Sequence, residues 1–233
     1  MVNPFRSHKN AQNGKSSHRL DTAPVMVIGL GRFGTSLASE LTANGVEVLG
    51  VDSDAKAVRE QAPYLTEAVI ADATDPEALA QLGLEDVEHV VLAVGTHLEA
   101  SILTASNLIE AGVPDVWAKA NSEAHGRILS QLGVHHVVHP ERDTGRRVAH
   151  LLGGQFREFA EIAPGYSVTS MSAPKGLCDR QLSDTIWRDK GVQVIAVRGS
   201  NGDFVPVEEG MVLVPSDIVI AGGSPEALEE LTR

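Results

Sequence analysis

Short apolar runs alternate with helix-like segments from residue 24 to about residue 139. Apolar runs of strand length are typical of strands buried on both faces, and a helix between two of them is typical of a right-handed crossover. The predicted strands lie at 25–29, 46–51, 67–71, 88–94, 115–119 and 134–138, with helices near 32–44, 54–62, 75–82, 97–111 and 122–132. The pattern therefore predicts an α/β fold with a doubly wound parallel sheet.

The pattern changes after Pro140. Residues 141–152 predict a helix that leaves the sheet, and β-rich runs follow Gly153. Those runs lie at 156–162, 166–171, 192–198, 204–207 and 217–221, with helices at 179–189 and from Ser224 onward. We therefore predict three parts: an N-terminal arm that is disordered because it is polar and aperiodic, an α/β domain, and a small α+β C-terminal lobe. Their bounds are 1–23, 24–152 and 153–233.

Charge and composition exclude several classes of partner. The formal net charge is −12 at pH 7. Nucleic acid and anionic lipid both require a basic surface, so neither is expected as a partner. Basic cytoplasmic loops of a membrane protein remain compatible with this charge. Cys178 is the single cysteine, and the sequence has no signal-peptide pattern or membrane span, which together predict a cytoplasmic protein. Nothing near Cys178 would activate its thiol, so we expect it to be inert.

Three glycines follow the first predicted strand and precede the first helix. They are Gly29, Gly31 and Gly34 in the segment VIGLGRFG. A G-x-G-x-x-G spacing in this context is typical of a dinucleotide-binding loop. The first glycine permits a tight turn, the second lets the backbone approach a pyrophosphate, and the third lets the helix pack on the strand. The free N–H groups of the helix N-terminus favour an anion. A strand–turn–helix junction that holds no ligand, with Asp52 as a solvated cap, is the alternative.

Polar residues follow the next strands at the same predicted edge. Asp52 ends the second strand, about twenty residues beyond the glycine loop, where an acid accepts hydrogen bonds from a ribose diol and disfavours a 2′-phosphate. This position suits ATP, ADP and NAD(H) equally. Asp72, Ala73 and Thr74 follow the third strand and Gly95 the fourth. Ligand contact by Asp72 and Thr74 is one explanation of this segment, and capping of the following helix by Thr74 or Asp75, ahead of Pro76, is an equally good one.

The histidines give weaker signals. We interpret His97 as a histidine of the crevice lining or of the surface, because the sequence offers no partner for a catalytic base. His135, His136 and His139 lie close together, but alternate strand residues face opposite ways and no Cys or carboxylate completes a tetrahedral set. We therefore do not predict a metal there. An NAD-dependent oxidoreductase is the alternative function, although the sequence lacks a Tyr-x-x-x-Lys pair and a zinc-ligand set.

Five segments together resemble one protein family. In order they are VIGLGRFG, EVLGVDSD, AVIADATD, GTHLEASILTA and WAKANSEAHGRILSQLGVHHVVHPERDTG. They resemble the regulatory subunits of bacterial Ktr/Trk potassium-uptake systems, which are built from RCK (KTN) domains with a Rossmann-like N-lobe and a C-terminal lobe. The resemblance implies a cytosolic gating ring rather than an enzyme. It implies dimers that assemble into a homo-octamer, docked at the inner face of the membrane on a K⁺-translocating subunit of the KtrB/TrkH type. A gating domain for K⁺ efflux is a further alternative.

The resemblance also implies ligand roles. ATP, ADP or NAD(H) binds in the crevice, Arg32 and Phe33 belong to the glycine loop, and Arg32 reaches the terminal phosphate of ATP. Lys119 faces phosphate, and Glu141 helps to hold Mg²⁺ or Ca²⁺ between nucleotides of facing protomers. Because ADP lacks the phosphate that Arg32 would bind, the two nucleotides should favour different ring shapes. A surface ion pair for Arg32 and a solvated helix-start acid for Glu141 are the alternatives.

Some members of this family bind cyclic di-AMP between C-terminal lobes. Arg188 and Pro206 fall where such lobes place nucleotide contacts, whereas Trp187 and the short RDKGV turn depart from the pattern. Cyclic di-AMP is therefore an open ligand for the C-terminal lobe.

Overall fold

The structure is a computed structural model that describes residues 23–84, 87–95, 97–153, 155–179, 181, 190–199 and 202–232. The contacts divide the chain into one unit that ends at Glu141 and a second that begins at Arg142. This division places most of the helix after Pro140 with the second unit, and the predicted domain boundary at residue 153 stays a prediction. The predicted disordered arm lies outside the described residues except for Ala23.

The first unit contains alternating strands and helices. They are β1 (Val25–Ile28), α1 (Arg32–Ala43), β2 (Val48–Asp52), α2 (Ala55–Gln61), β3 (Glu67–Ile70), α3 (Pro76–Gln81), β4 (His89–Leu92), α4 (Leu98–Glu110), β5 (Asp115–Lys119), α5 (Glu123–Gln131) and β6 (His136–Val138). The strands form one parallel sheet in the order β3-β2-β1-β4-β5-β6. The predicted Rossmann-like sheet is confirmed. Because the strand order reverses between β1 and β4, a crevice opens at the carboxyl ends of these two strands.

The core of the first unit lies on both faces of this sheet. Val25 and Val27 of β1 pack in one apolar cluster, and Met26 and Ile28 pack in another. Alternate residues of a strand point to opposite faces, so β1 is apolar at every position because helices cover both sides.

The helices of the first unit begin in two different ways. Asp54, Asp75 and Ser122 cap α2, α3 and α5 with side-chain oxygens that accept backbone N–H bonds. By contrast, α1 follows Gly31, has no side-chain cap and has no acid in its first turn. The first N–H groups of α1 thus have no side-chain acceptor, and these groups lie at the crevice.

The second unit holds an antiparallel sheet. Its elements are α6 (Pro140–Leu152, which begins at the end of the first unit), β7 (Phe156–Ala163), β8 (Tyr166–Ser172), a 3₁₀ turn (Lys175–Leu177), β9 (Val192–Arg198), β10 (Phe204–Pro206), β11 (Ile218–Gly223) and α7 (Pro225–Leu231). The strand order is β10-β9-β11-β8-β7. Phe156, Met171, Val219 and Leu228 are among its buried core residues. The predicted α+β character of this lobe is confirmed.

One predicted element of the second unit is not tested. Gln181 forms an isolated bridge with Val212, and residues 182–189 of the predicted helix 179–189 lie outside the described residues. No helix in the described part of the chain is long and apolar enough to cross a membrane.

Candidate functional site

The glycine loop after β1 has the shape of a phosphate-binding turn. Gly29 has a φ of 96°, a conformation that strains other residues. A Cβ at Gly34 would lie 1.9 Å from the carbonyl oxygen of Gly29, so α1 can pack on the loop only because Gly34 has no side chain. A Cβ at Gly31 would meet nothing within 4 Å. The backbone at Gly31 therefore faces open space, into which a ligand can approach.

Asp52 fastens this loop to the end of β2. Its Oδ2 accepts a hydrogen bond from the backbone N–H of Leu30 at 2.7 Å, and its Oδ1 accepts one from Asp54 N–H at 2.8 Å. Each carboxylate oxygen has further acceptor capacity, so the same side chain can also accept bonds from ribose hydroxyls. Asp52 thus has a structural role in the loop that its position in the sequence did not reveal.

The loop after β3 is held by its own side chains. Asp72 Oδ1 accepts hydrogen bonds from both the backbone N–H and the hydroxyl of Thr74, at 2.9 and 2.7 Å. The hydroxyl bond, followed by the backbone bond, holds the pKa of Asp72 below its ordinary value. Asp75 is the cap of α3, while Ala73 is buried. Of the two predicted cap candidates, Thr74 and Asp75, Asp75 is therefore the cap, while the exposed Asp72 holds Thr74 and its ligand contact stays a prediction.

A half-buried lysine lies beside the glycine loop. The side chain of Lys119, at the end of β5, is 11% exposed, and its Nζ donates to Glu141 Oε1 at 2.6 Å. The same Nζ lies 5.9 Å from the centre of the Phe33 ring and 3.3 Å from where a Cβ at Gly95 would be. The glycine at position 95 therefore leaves the ammonium group accessible from the crevice.

Glu141 is the counter-ion of this lysine. Its side chain is 64% exposed, and the hydrogen bond from Lys119 is the main reason that its pKa lies below the ordinary value. Arg32 adds a weaker electrostatic contribution of the same sign. Arg32 is exposed in the first turn of α1, and no ion pair found among the described residues involves it. Arg32 and Lys119 thus lie beside Glu141 near the N-terminus of α1, and basic side chains and free N–H groups of this kind favour an anion.

Sequence reasoning missed Asn121. A Cβ at Gly95 would lie 3.1 Å from Asn121 Oδ1, which places this amide beside Lys119 at the crevice. The available signal was its position just after a predicted strand, at the edge where ligands of such sheets bind.

Comparison with known proteins identifies the family. The TrkA-N domain family matches residues 25–140. The chain is 38% identical over 200 residues to the Ktr system potassium uptake protein C of Bacillus subtilis, which covers 85% of this chain and 90% of that protein. It is 34% identical over 208 residues to the Ktr system potassium uptake protein A of the same organism, with 88% and 93% covered. This chain belongs to the Ktr potassium uptake protein family.

Solved structures support the fold of this Ktr-family chain. A structure described as the GsuK channel bound to NAD matches 98% of the chain with a TM-score of 0.63 at 15% identity. The match spans 42% of that channel's own chain. At this identity the likeness shows the fold alone, and it agrees with the expected RCK architecture.

The cation expected in a Ktr-family crevice would depend on ligands beyond Glu141. Within the described residues, no group of three or more His, Cys, Asp or Glu side chains could hold a metal ion. Lys119 occupies one oxygen of Glu141, and the other can still bind a cation. Glu141 would supply one carboxylate to Mg²⁺ or Ca²⁺, and phosphate oxygens suit the remaining positions.

The three clustered histidines make separate contacts. The Nδ1 of His135 accepts the backbone N–H of Val116 at 3.0 Å, and His136 stacks on Trp117 at 4.0 Å between ring centres. His139 packs against Gly126. His97 lines a cavity of about 510 Å³ at the start of α4 together with Thr74, and its place in the nucleotide crevice stays a prediction.

The remaining expected sites of this family member lie in the second unit. Arg188 and Trp187, on which the cyclic di-AMP hypothesis depends, lie outside the described residues, and Pro206 ends the exposed strand β10.

Burial is the first cause that raises the pKa of the Cys178 thiol, with a smaller contribution from Asp179. The thiolate is therefore disfavoured at neutral pH.

Proposed function

We propose that this chain is a nucleotide-sensing regulatory subunit of a K⁺ uptake system and not an enzyme. It binds ATP, ADP or NAD(H) in its N-terminal unit and controls a membrane K⁺-translocating subunit of the KtrB/TrkH type. The observation that carries this proposal is the convergence of Arg32, Lys119 and Glu141 beside the open backbone at Gly31. The relatives named for potassium uptake support the same conclusion.

The charge arrangement explains how such a site distinguishes nucleotides. Arg32 has no ion pair among the described residues. Its guanidinium can therefore bind a terminal phosphate without first breaking another contact. Lys119 already has a partner in Glu141, so a phosphate must share or displace that carboxylate. A hydrogen bond to a charged group contributes about 1.5–3 kcal/mol, which is roughly a 10- to 100-fold change in affinity. A ligand with one more phosphate therefore shifts the protein between states through this difference.

A divalent cation fits the same arrangement. A nucleoside triphosphate brings several negative charges close to Glu141. The phosphates and the carboxylate would repel each other without a counter-ion. Mg²⁺ or Ca²⁺ bound by phosphate oxygens and by the free oxygen of Glu141 would offset this repulsion. In the proposed assembly the cation lies between nucleotides of facing protomers, within dimers that form an octameric ring at the inner face of the cell membrane.

Calorimetry tests the binding part of the proposal. The full chain is titrated with ATP, ADP and NADH, each with and without Mg²⁺. We expect saturable binding of at least one adenine nucleotide and a Mg²⁺-dependent gain for ATP. If none of the three binds, the proposed mechanism is wrong.

Native mass spectrometry tests the assembly. It reports the number of subunits and the mass of any nucleotide that co-purifies, and an octamer is expected.

Steady oxidation of NADH with carbonyl substrates would instead favour an oxidoreductase. A separate titration with cyclic di-AMP tests the C-terminal lobe, where binding would add a second regulatory ligand.

A further inference from the structure

The first turn of α5 contacts the segment that carries Glu141. At Gly126, a Cβ would lie 2.9 Å from both Cε1 and Nε2 of the His139 ring and 3.5 Å from Cβ of Ala120. The edge of the imidazole thus occupies the space that any larger residue at position 126 would fill. Gly126 is buried in α5, so the helix cannot easily move away.

The same turn is fixed from its other side by His125. This side chain is 2% exposed, and its Nδ1 accepts the backbone N–H of Asn121 at 3.3 Å. The backbone N–H of His125 donates to Ser122 Oγ at 3.2 Å, which caps the helix. The Nε2 atom of His125 is buried and has no hydrogen-bond partner among the described residues, an arrangement that costs free energy. The ring is thus packed in the interior although one of its nitrogens makes no hydrogen bond to the described residues.

Only a short segment of the chain connects the contact between Gly126 and His139 with the crevice. Lys119 pairs in register with Val138, and Ala120 N–H donates to the Val138 carbonyl at 2.8 Å. His139 follows immediately, and Pro140 then fixes its own φ at the start of α6. The strand end and the proline restrict the backbone on either side of His139, so the ring that packs on Gly126 lies on the same short segment as Glu141.

We infer that Gly126 and His139 form a positioning contact that holds Glu141 against Lys119 and so sets how the crevice distinguishes ATP with Mg²⁺ from ADP. Neither residue is among those proposed to contact the ligand. The inference rests on the proposed nucleotide site and adds to it a determinant outside the crevice. Residues behind the ligands of a metal or phosphate site commonly tune binding through orientation alone.

Gly126→Ala is the variant that tests the contact. The added methyl displaces the tip of the His139 ring rather than backbone, so the protein is expected to fold. We expect the affinity for ATP with Mg²⁺ to fall about tenfold, the lower end of what loss of an outer-shell partner costs. Affinity for ADP without Mg²⁺ should stay within about twofold of the wild type, because no cation then has to bind the free oxygen of Glu141. Calorimetry on the full chain measures both affinities.

Gly145→Ala is the matched control. Gly145 lies in α6 and a Cβ there would meet nothing within 4 Å, so this variant reports the effect of a glycine-to-alanine change inside a helix. His139→Ala removes the ring that Gly126→Ala would displace. If the contact acts as inferred, Gly126→Ala has no further effect on ATP affinity in the His139→Ala background.

The outcomes separate this inference from the proposed function. If wild type binds ATP with Mg²⁺ and Gly126→Ala binds it equally well, the positioning contact is refuted and the nucleotide site remains. Equal losses for ATP and ADP in Gly126→Ala would also refute it, because they indicate general damage to the crevice. A further loss in the double variant would show that position 126 does not act through His139.

Discussion

The carboxylate of Asp52 should contribute measurably to folding, whatever ligand it binds. Its two oxygens accept backbone N–H bonds from Leu30 and Asp54, and the Leu30 bond is the half-buried one. In Asp52→Asn the single amide oxygen would keep the Leu30 bond, and water would serve the exposed Asp54 N–H. The Leu30 bond then changes from charge-assisted to neutral, which roughly halves its strength. The expected loss is about 1 kcal/mol of the free energy of unfolding.

Asp52→Ala should cost more, because it removes both acceptors. The half-buried Leu30 N–H then has no partner, and the expected loss is about 2–3 kcal/mol. For a chain of this size, each kcal/mol lowers the melting temperature by about 2–4 °C. Asp52→Ala should thus melt roughly 4–12 °C below the wild type, and Asp52→Asn roughly 2–4 °C below it.

Urea unfolding of the nucleotide-free chain, followed by circular dichroism, measures the series. Asp54→Asn is the matched control: Asp54 caps α2 through Oδ1, and asparagine caps a helix about as well as aspartate. This variant should unfold at the wild-type urea concentration. If Asp52→Ala also unfolds there, Asp52 does not fasten the glycine loop and the reasoning above is wrong.

Three further predictions concern the same unit. Gly34→Ala should lower the free energy of unfolding by about 3 kcal/mol, because its Cβ would lie 1.9 Å from a backbone oxygen. Urea unfolding measures this loss, and a variant that unfolds at the wild-type urea concentration would contradict the packing. Burial of His125 lowers its pKa below 6.5, so the unfolded chain takes up a proton first and stability should fall as the pH drops below 6.5. His125→Gln should reduce that pH slope in urea titrations, and an unchanged slope would exclude His125 as its source. Arg32→Ala should weaken ATP binding about tenfold or more and ADP binding little in calorimetry, whereas equal losses would remove Arg32 from the discrimination of phosphates.

Local patterns in the sequence predicted the architecture of the first unit well. Strand and helix positions depend on apolar periodicity and on glycine, which act over a few residues, so they could be recognised without knowing the fold. The observed bounds differ by a residue or two, as for β2 at Val48–Asp52 instead of 46–51. The order of strands in the second unit could not be predicted, because antiparallel pairing joins runs at many different separations along the chain.

The crevice shows the same division between local and tertiary information. The sequence by itself determined the glycine loop, because backbone freedom at Gly29 and close packing at Gly34 are requirements of single positions. Only the tertiary structure decided that Lys119 is paired with Glu141, 22 residues away, and that His139 packs on Gly126. Such contacts depend on the register of parallel strands that are brought together by crossovers. The charge state and the accessibility of a site follow from those contacts. No local pattern in the sequence predicts either property.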